Sequence, residues 1–159
     1  MNEHPQTPED FAAHVAVVTA TIGNRPLDAA LAIALESEFP ANGEWFVETT
    51  ALCHRGVTEG WLCGREVGGI KFGRAVPAGN DTHGFSVDVV EMYDVVGPHH
   101  AHPNGEIDLV IPLDEAAEFD GKGAGWIVYA PGSAHRPTVA KGRALVLYLL
   151  PGGAIEFTR

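Results

Sequence analysis

"GPHHAHPNGE", residues 97–106, sets three histidines and one glutamate among two prolines and two glycines. His100 and His102 lie two residues apart, so on an extended strand both imidazoles point to one face, while His99 points to the other. Glu106 follows the Pro103-Asn104-Gly105 turn, which brings its carboxylate back beside them. About thirty residues later, "GWIVYAPGSAHRP" (125–137) ends a strand in a Pro131-Gly132 turn and delivers His135. Three imidazoles and one carboxylate make a common ligand set for a divalent metal, with positions left over for water or substrate.

The flanking sequence supplies a β scaffold for these residues. Strand formers run over Ile70–Val76, Phe85–Val90, Ile107–Leu113, Trp126–Tyr129, Ala144–Leu150 and Ala154–Phe157, separated by Gly and Pro punctuation. Short strands at this spacing predict an antiparallel sandwich or barrel. Before residue 65 the signals are helical. Thr7-Pro8-Glu9-Asp10 reads as a capped start, Asn24–Phe39 as a second helix beginning near Pro26, and Gly43–Gly60 as a third. The organisation expected is a helical elaboration over 1–64 and a β-barrel over 65–159, forming one compact unit.

Charge narrows the partners. Ten basic residues against 21 acidic give a net charge of −11 over 159 residues. A nucleic acid or an anionic membrane would want a basic surface, so neither is expected. No basic-then-apolar leader is visible in MNEHPQTPED and no run approaches membrane-spanning length, so a cytoplasmic protein is expected. Cys53 and Cys63 give no disulfide framework and no zinc-knuckle spacing, and they read as ordinary buried thiols.

The two histidine segments resemble the cupin superfamily. Its first motif, His-x-His, a short gap, then Glu, matches His100-Ala101-His102 with Glu106. Its second, Gly, five residues, Pro, then a turn and His, matches Gly125 to Pro131 and on to His135. There are departures. Asp94 and Leu113 stand where the first motif has glycines, the Pro-to-His spacing is one short, and Val139 replaces an Asn. The resemblance implies a mainly β fold: a single cupin (double-stranded β-helix, or jelly-roll) barrel with an N-terminal helical elaboration. It also implies His100, His102, Glu106 and His135 as ligands of a divalent metal (Fe, Mn, Ni, Co or Zn), with no organic cofactor and a homodimeric assembly.

A narrower resemblance covers almost the whole chain. "GVTEGWLCGREVGGIKFGR" (56–74), "THGFSVDVVEMYDVVGPHHAHPNGEIDLVIPL" (82–113), "GAGWIVYAPGSAHRPTV" (123–139) and "ALVLYLLPGGAIEFTR" (144–159) are similar to a small bacterial cupin family. That family is associated with 4-hydroxylaminobenzoate lyase, which converts 4-hydroxylaminobenzoate to 3,4-dihydroxybenzoate (protocatechuate) and ammonia during nitroaromatic degradation. Such a reaction needs no external oxidant, because breaking the N–O bond supplies the oxidation of the ring. It needs a Lewis acid or polarised water, a proton carrier, an apolar slot and a cation for the carboxylate.

Candidates stand beside each requirement. Asp108, two after Glu106, shares its face and is the candidate proton shuttle, with Glu106 as the other catalytic carboxylate. Arg136, next to His135, is the favoured clamp for the benzoate, with Arg65, Lys71 and Arg74 as rivals. His83, Tyr148 and Trp126 are candidate substrate contacts, although aromatic residues in strands are more often core. His99 and His54 are expected away from the chemistry. The alternatives are another metal-dependent cupin enzyme, such as an aromatic dioxygenase or isomerase, and a non-catalytic cupin that binds aromatic acids.

Overall fold

A computed structural model describes residues 7–158; the first part of the N-terminal stretch read above for a leader lies outside them. Three helices come first, α1 (Pro8–Ile22), α2 (Ala29–Glu38) and α3 (Glu44–Glu59). The start of α1 is a reciprocal cap: Thr7 Oγ1 accepts from the Asp10 N–H at 3.1 Å, and the Asp10 carboxylate accepts from the Thr7 N–H at 2.9 Å. The expected second helix is shortened. It begins at Ala29 rather than near Pro26 because Asp28 caps it, accepting from the Leu31 N–H at 3.0 Å. Gly43 and Gly60 bound α3 as expected, Gly60 in the left-handed conformation.

Ten strands follow. Six lie along one large antiparallel sheet in the order β1 (Arg65–Val67), β2 (Ile70–Val76), β3 (Phe85–Val96), β9 (Thr138–Pro151), β5 (Glu106–Pro112) and β7 (Gly125–Tyr129). The seventh, β6 (Glu118–Phe119), also pairs with β9. A smaller sheet orders β10 (Glu156–Phe157), β4 (His100–His102) and β8 (Ser133–His135). Both long central strands run further than the apolar runs suggested, because a bulge carries them on. The pairing of β3 with β9 shifts register at Asp94, which adopts φ 41° and accepts from the Gly142 N–H at 2.9 Å. This explains Asp94 at a usual glycine position: the site wants a left-handed residue, and aspartate tolerates that conformation better than most.

The large sheet has two apolar faces. On one, Val87, Val89, Ile107, Leu109, Leu147 and Leu149 pack with Phe11, Val18, Leu35 and Leu52 of the helices. On the other, Val90, Met92, Val110, Val146 and Leu150 form a second cluster with Phe119 and Val139. The small sheet closes over this second face. The chain is mainly β, two antiparallel sheets facing each other as the expected cupin barrel requires, with an N-terminal helical elaboration. Period-2 alternation fixes which residues enter the barrel. A cross-strand row runs Arg74, Asp88, Tyr148, Asp108 from β2 to β5, all on the inner face.

Candidate active site

His100 and His102 project from β4, Glu106 opens β5 and His135 ends β8. The first three side chains are at most 1% exposed, and His135 is 12% exposed. Glu106 Oε1 lies 3.3 Å from Nε2 of both His100 and His102, and its Oε2 lies 3.6 Å from His135 Nε2. His100 Nε2 and His135 Nε2 are 3.1 Å apart. The turn that closes the cluster depends on Gly105, whose φ is +88°. A β-carbon there would meet Leu27 at 2.6 Å and the Tyr129 carbonyl at 2.9 Å.

These residues fit a metal ion. One ligand atom from each of the four residues lies within 4.8 Å of the others. Donors about 2.1 Å from a common centre stand roughly 3.0–4.2 Å apart, close to what is seen. His102 Nε2 and both Glu106 oxygens are buried without an aligned hydrogen-bond partner, and a cation at their centre would satisfy them together.

The histidines are backed from behind. The Ser133 hydroxyl donates its one proton to the Ala130 carbonyl at 2.6 Å, so at 2.9 Å it accepts from His102 Nδ1–H. That fixes the His102 tautomer with the Nε2 lone pair turned to the cluster. Burial lowers His102 to about 4 against the pull of Glu106, consistent with a neutral ring. His135 Nδ1 meets Asp120 Oδ2 at 2.6 Å. Burial would lower His135, but the hydrogen bonds to Asp120 and Glu106 outweigh it and raise the ring to about 9.

The carboxylates divide. Burial pushes Glu106 up, but its contacts with His100, His135 and Asp108 prevail and hold it at about 2. Asp108 is wholly buried, and burial together with the Glu106 charge raises it well above the carboxylate range. It stays protonated beside an ionised neighbour.

A cavity of about 900 Å³ opens on the barrel beside this cluster. Its walls are largely apolar, with Phe72, Val90, Met92 and Phe157 among them, and its buried wall includes His100 and Tyr148. Arg65 and Arg74 also line it. Arg74 is already engaged: it donates to Asp88 at 2.8 and 3.3 Å and to the Gly153 carbonyl at 3.2 Å. Arg65 has no acidic partner within 4 Å among the described residues.

The profile of the 4-hydroxylaminobenzoate lyase (PnbB) family matches residues 13–157. The chain belongs to this family. It is 33% identical to the 4-hydroxylaminobenzoate lyase of Pseudomonas putida over 141 residues, covering 77% of this chain and 80% of that one. It is 32% identical to the 4-hydroxylaminobenzoate lyase of Nocardioides sp. (strain LMS-CY) over 161 residues, with 95% of each covered. Among solved structures it is similar to an RmlC-like cupin protein from Ralstonia eutropha JMP134, with TM-score 0.44, 9% identity, and 58% and 61% of the two chains covered.

In this member of the 4-hydroxylaminobenzoate lyase family, the candidate residues separate cleanly. The four expected ligands converge, and Asp108 joins them, enclosed behind Glu106 rather than open to the cavity. Tyr148 reaches the cavity, its ring 6.0 Å from that of His100. Other candidates lie elsewhere. Arg136 is exposed and does not line the cavity, because the strand that presents His135 inward turns the next residue outward. Trp126 sits on the helix-covered face, donating to the Phe39 carbonyl at 3.0 Å and stacking on Trp45. His83 is bound to Thr19 of α1 at 2.9 Å, and Lys71 lies near Glu91 at 4.0 Å; neither lines the cavity. His99 turns away to Thr158, and His54 is exposed on α3. Asp120 was not singled out in the sequence. Its only local sign is a Phe119-Asp120-Gly121 turn, which does not announce a partner fifteen residues on.

Proposed function

We propose that this chain is a 4-hydroxylaminobenzoate lyase that turns 4-hydroxylaminobenzoate and water into protocatechuate and ammonia. The observation that carries the reading is an enclosed three-histidine, one-glutamate cluster meeting a largely apolar cavity, wide enough for an aromatic acid, with an uncommitted arginine, in a chain of this family. In the overall change, the N–O, the C–N and one ring C–H bond break, two ring C–O bonds form, and the displaced hydrogen leaves as a proton that ends on the ammonia. The reduction of nitrogen balances the oxidation of the ring, so no external oxidant enters.

His100, His102, Glu106 and His135 would hold a divalent ion, one of Fe, Mn, Ni, Co or Zn, which supplies Lewis acidity when bound. The protein's own groups do the rest. Phe72, Val90 and Met92 grip the aromatic ring and keep bulk water from it. Arg65 holds the carboxylate at the outer rim, which points the hydroxylamino group inward to His100 and Tyr148. The Tyr148 hydroxyl is the donor placed to hydrogen-bond the departing oxygen. Asp108, opposite Tyr148 in the sheet, keeps a proton on its buried carboxyl beside the ionised Glu106.

The partner this reading requires is a small aromatic carboxylate, and the acidic balance gives no support for nucleic acid or an anionic membrane. No helix among the described residues is long and apolar enough to cross a membrane. A cytoplasmic setting accords with two unpaired cysteines. A homodimer would cover Val17, Ile33 and Val47, which stand 52%, 71% and 59% exposed on the three helices. The deciding experiment is an anaerobic product assay of metal-loaded protein with 4-hydroxylaminobenzoate. Protocatechuate and ammonia in equal amounts without oxygen support the lyase. Turnover that requires oxygen indicates a dioxygenase instead, and tight binding without turnover a carrier.

A further inference from the structure

Asp120 occupies a position that no part of the ligand motif predicts, yet it makes the densest set of polar contacts around the cluster. It stands at the end of β6 with φ 50°, a left-handed conformation that points its carboxylate back to β8. Its Oδ2 meets His135 Nδ1 at 2.6 Å and also accepts from the Tyr129 hydroxyl. Its Oδ1 accepts from the Thr138 N–H at 2.9 Å. Three donors from three places in the chain thus converge on one carboxylate. Burial would raise the Asp120 carboxyl, but these donors hold it below the ordinary aspartate value.

We propose that Asp120 is a positioning residue for metal binding, fixing His135 as the Nδ1–H tautomer with its Nε2 lone pair aimed at His100, His102 and Glu106. A carboxylate can only accept, so His135 Nδ1 must donate to it, and Nε2 is the nitrogen that a metal ion can take once its proton leaves. Tyr129 and Thr138 hold the carboxylate still, so the ring cannot rotate away without breaking its bond to Oδ2. The charge of Asp120 also supplements that of Glu106: a dication among three neutral imidazoles faces two negative charges, one direct and one through His135. His102 receives only a neutral hydroxyl from Ser133. The two histidines are therefore backed unequally, and His135 is the more basic donor of the pair.

This inference rests on the reading that the four residues hold a metal, and the test separates the two. Co²⁺ affinity is measured on metal-free protein by chelator competition and by the visible absorption bands of the bound ion. Asp120→Asn is the main variant. Asparagine tolerates a left-handed backbone but offers one acceptor oxygen, so it cannot serve both His135 and Thr138. Asp120→Gly, which also suits that backbone and deletes the carboxylate, is the second. Each is made in the parent and in a His135→Ala background. The expected result is a Kd raised about 10- to 100-fold in the parent background, with shifted Co²⁺ bands. In the His135→Ala background the same substitutions should change Kd less than about two-fold, since the ring through which Asp120 acts is gone. Parent-like affinity in folded Asp120 variants overturns the proposal, as does an equal loss in both backgrounds. Failure of both variants to fold also overturns it, in favour of a purely structural carboxylate. A parent protein that binds no Co²⁺ overturns the metal centre itself, and this role with it.

Discussion

The Nε2 atoms of His100 and His135 face each other at 3.1 Å, with Glu106 against both. Two bare imidazole lone pairs repel at that distance, so the contact needs a positive centre between them, either a proton or a metal ion.

The first prediction follows from that need. His100→Ala or His135→Ala should remove most bound metal and nearly all turnover while the barrel stays folded, because the ligands of one centre act as a unit. Metal content per chain and far-UV circular dichroism check it. Near-normal metal and turnover in both variants would sink the four-ligand assignment.

The second concerns the substrate carboxylate. A charge-assisted pair at the cavity rim is worth about 1.5–3 kcal/mol, or about 10- to 150-fold in affinity. Arg65→Ala should weaken binding of 4-hydroxylaminobenzoate by that factor and leave phenylhydroxylamine, which lacks the carboxylate, unchanged. Arg136→Ala should affect neither, since Arg136 lies outside the cavity. Binding titrations with the two compounds decide it, and equal losses for both would make Arg65 a structural residue.

Gly105→Ala tests the turn between His102 and Glu106. The left-handed φ costs about 1–2 kcal/mol, and the close approach to Leu27 and the Tyr129 carbonyl adds about 1–3 kcal/mol. Chemical denaturation should show a loss of about 2–5 kcal/mol, with weakened metal binding because Glu106 moves with the turn. An unchanged midpoint would mean that the turn relaxes freely.

The thiols give a pH prediction. Burial raises both Cys53 and Cys63 to about 12, from an ordinary value of 9.0. In the unfolded chain they ionise first, so their contribution to stability is full below pH 9 and is lost as pH rises toward 12. Iodoacetamide at pH 8 should label native protein at least about ten-fold more slowly than protein in urea. Native labelling should keep accelerating above pH 9, where the unfolded rate levels off. Equal rates at pH 8 would show that the thiols are not protected.

Much of the candidate metal site was legible in one dimension. His100 and His102 share a face because alternate strand residues must, and a Gly-containing turn returns Glu106 to them. The strand, Pro-Gly turn and His135 repeat the same logic. These are local relations, set by backbone periodicity and turn chemistry, so the four candidate ligands, the antiparallel strands and the helical start could be read along the chain. Alternation shows which residues share a face, but not which face is the cavity. Tyr148 and Trp126 look equivalent as strand aromatics, yet pairing places Tyr148 opposite Asp108 and Trp126 opposite Leu109. That one-residue difference in parity sends Tyr148 into the barrel and Trp126 under the helices. That Arg65 lines the cavity and Arg136 does not, and that Asp120 stands behind His135, likewise emerged only in three dimensions. Each depends on strands distant in sequence meeting in one register, which no local pattern encodes.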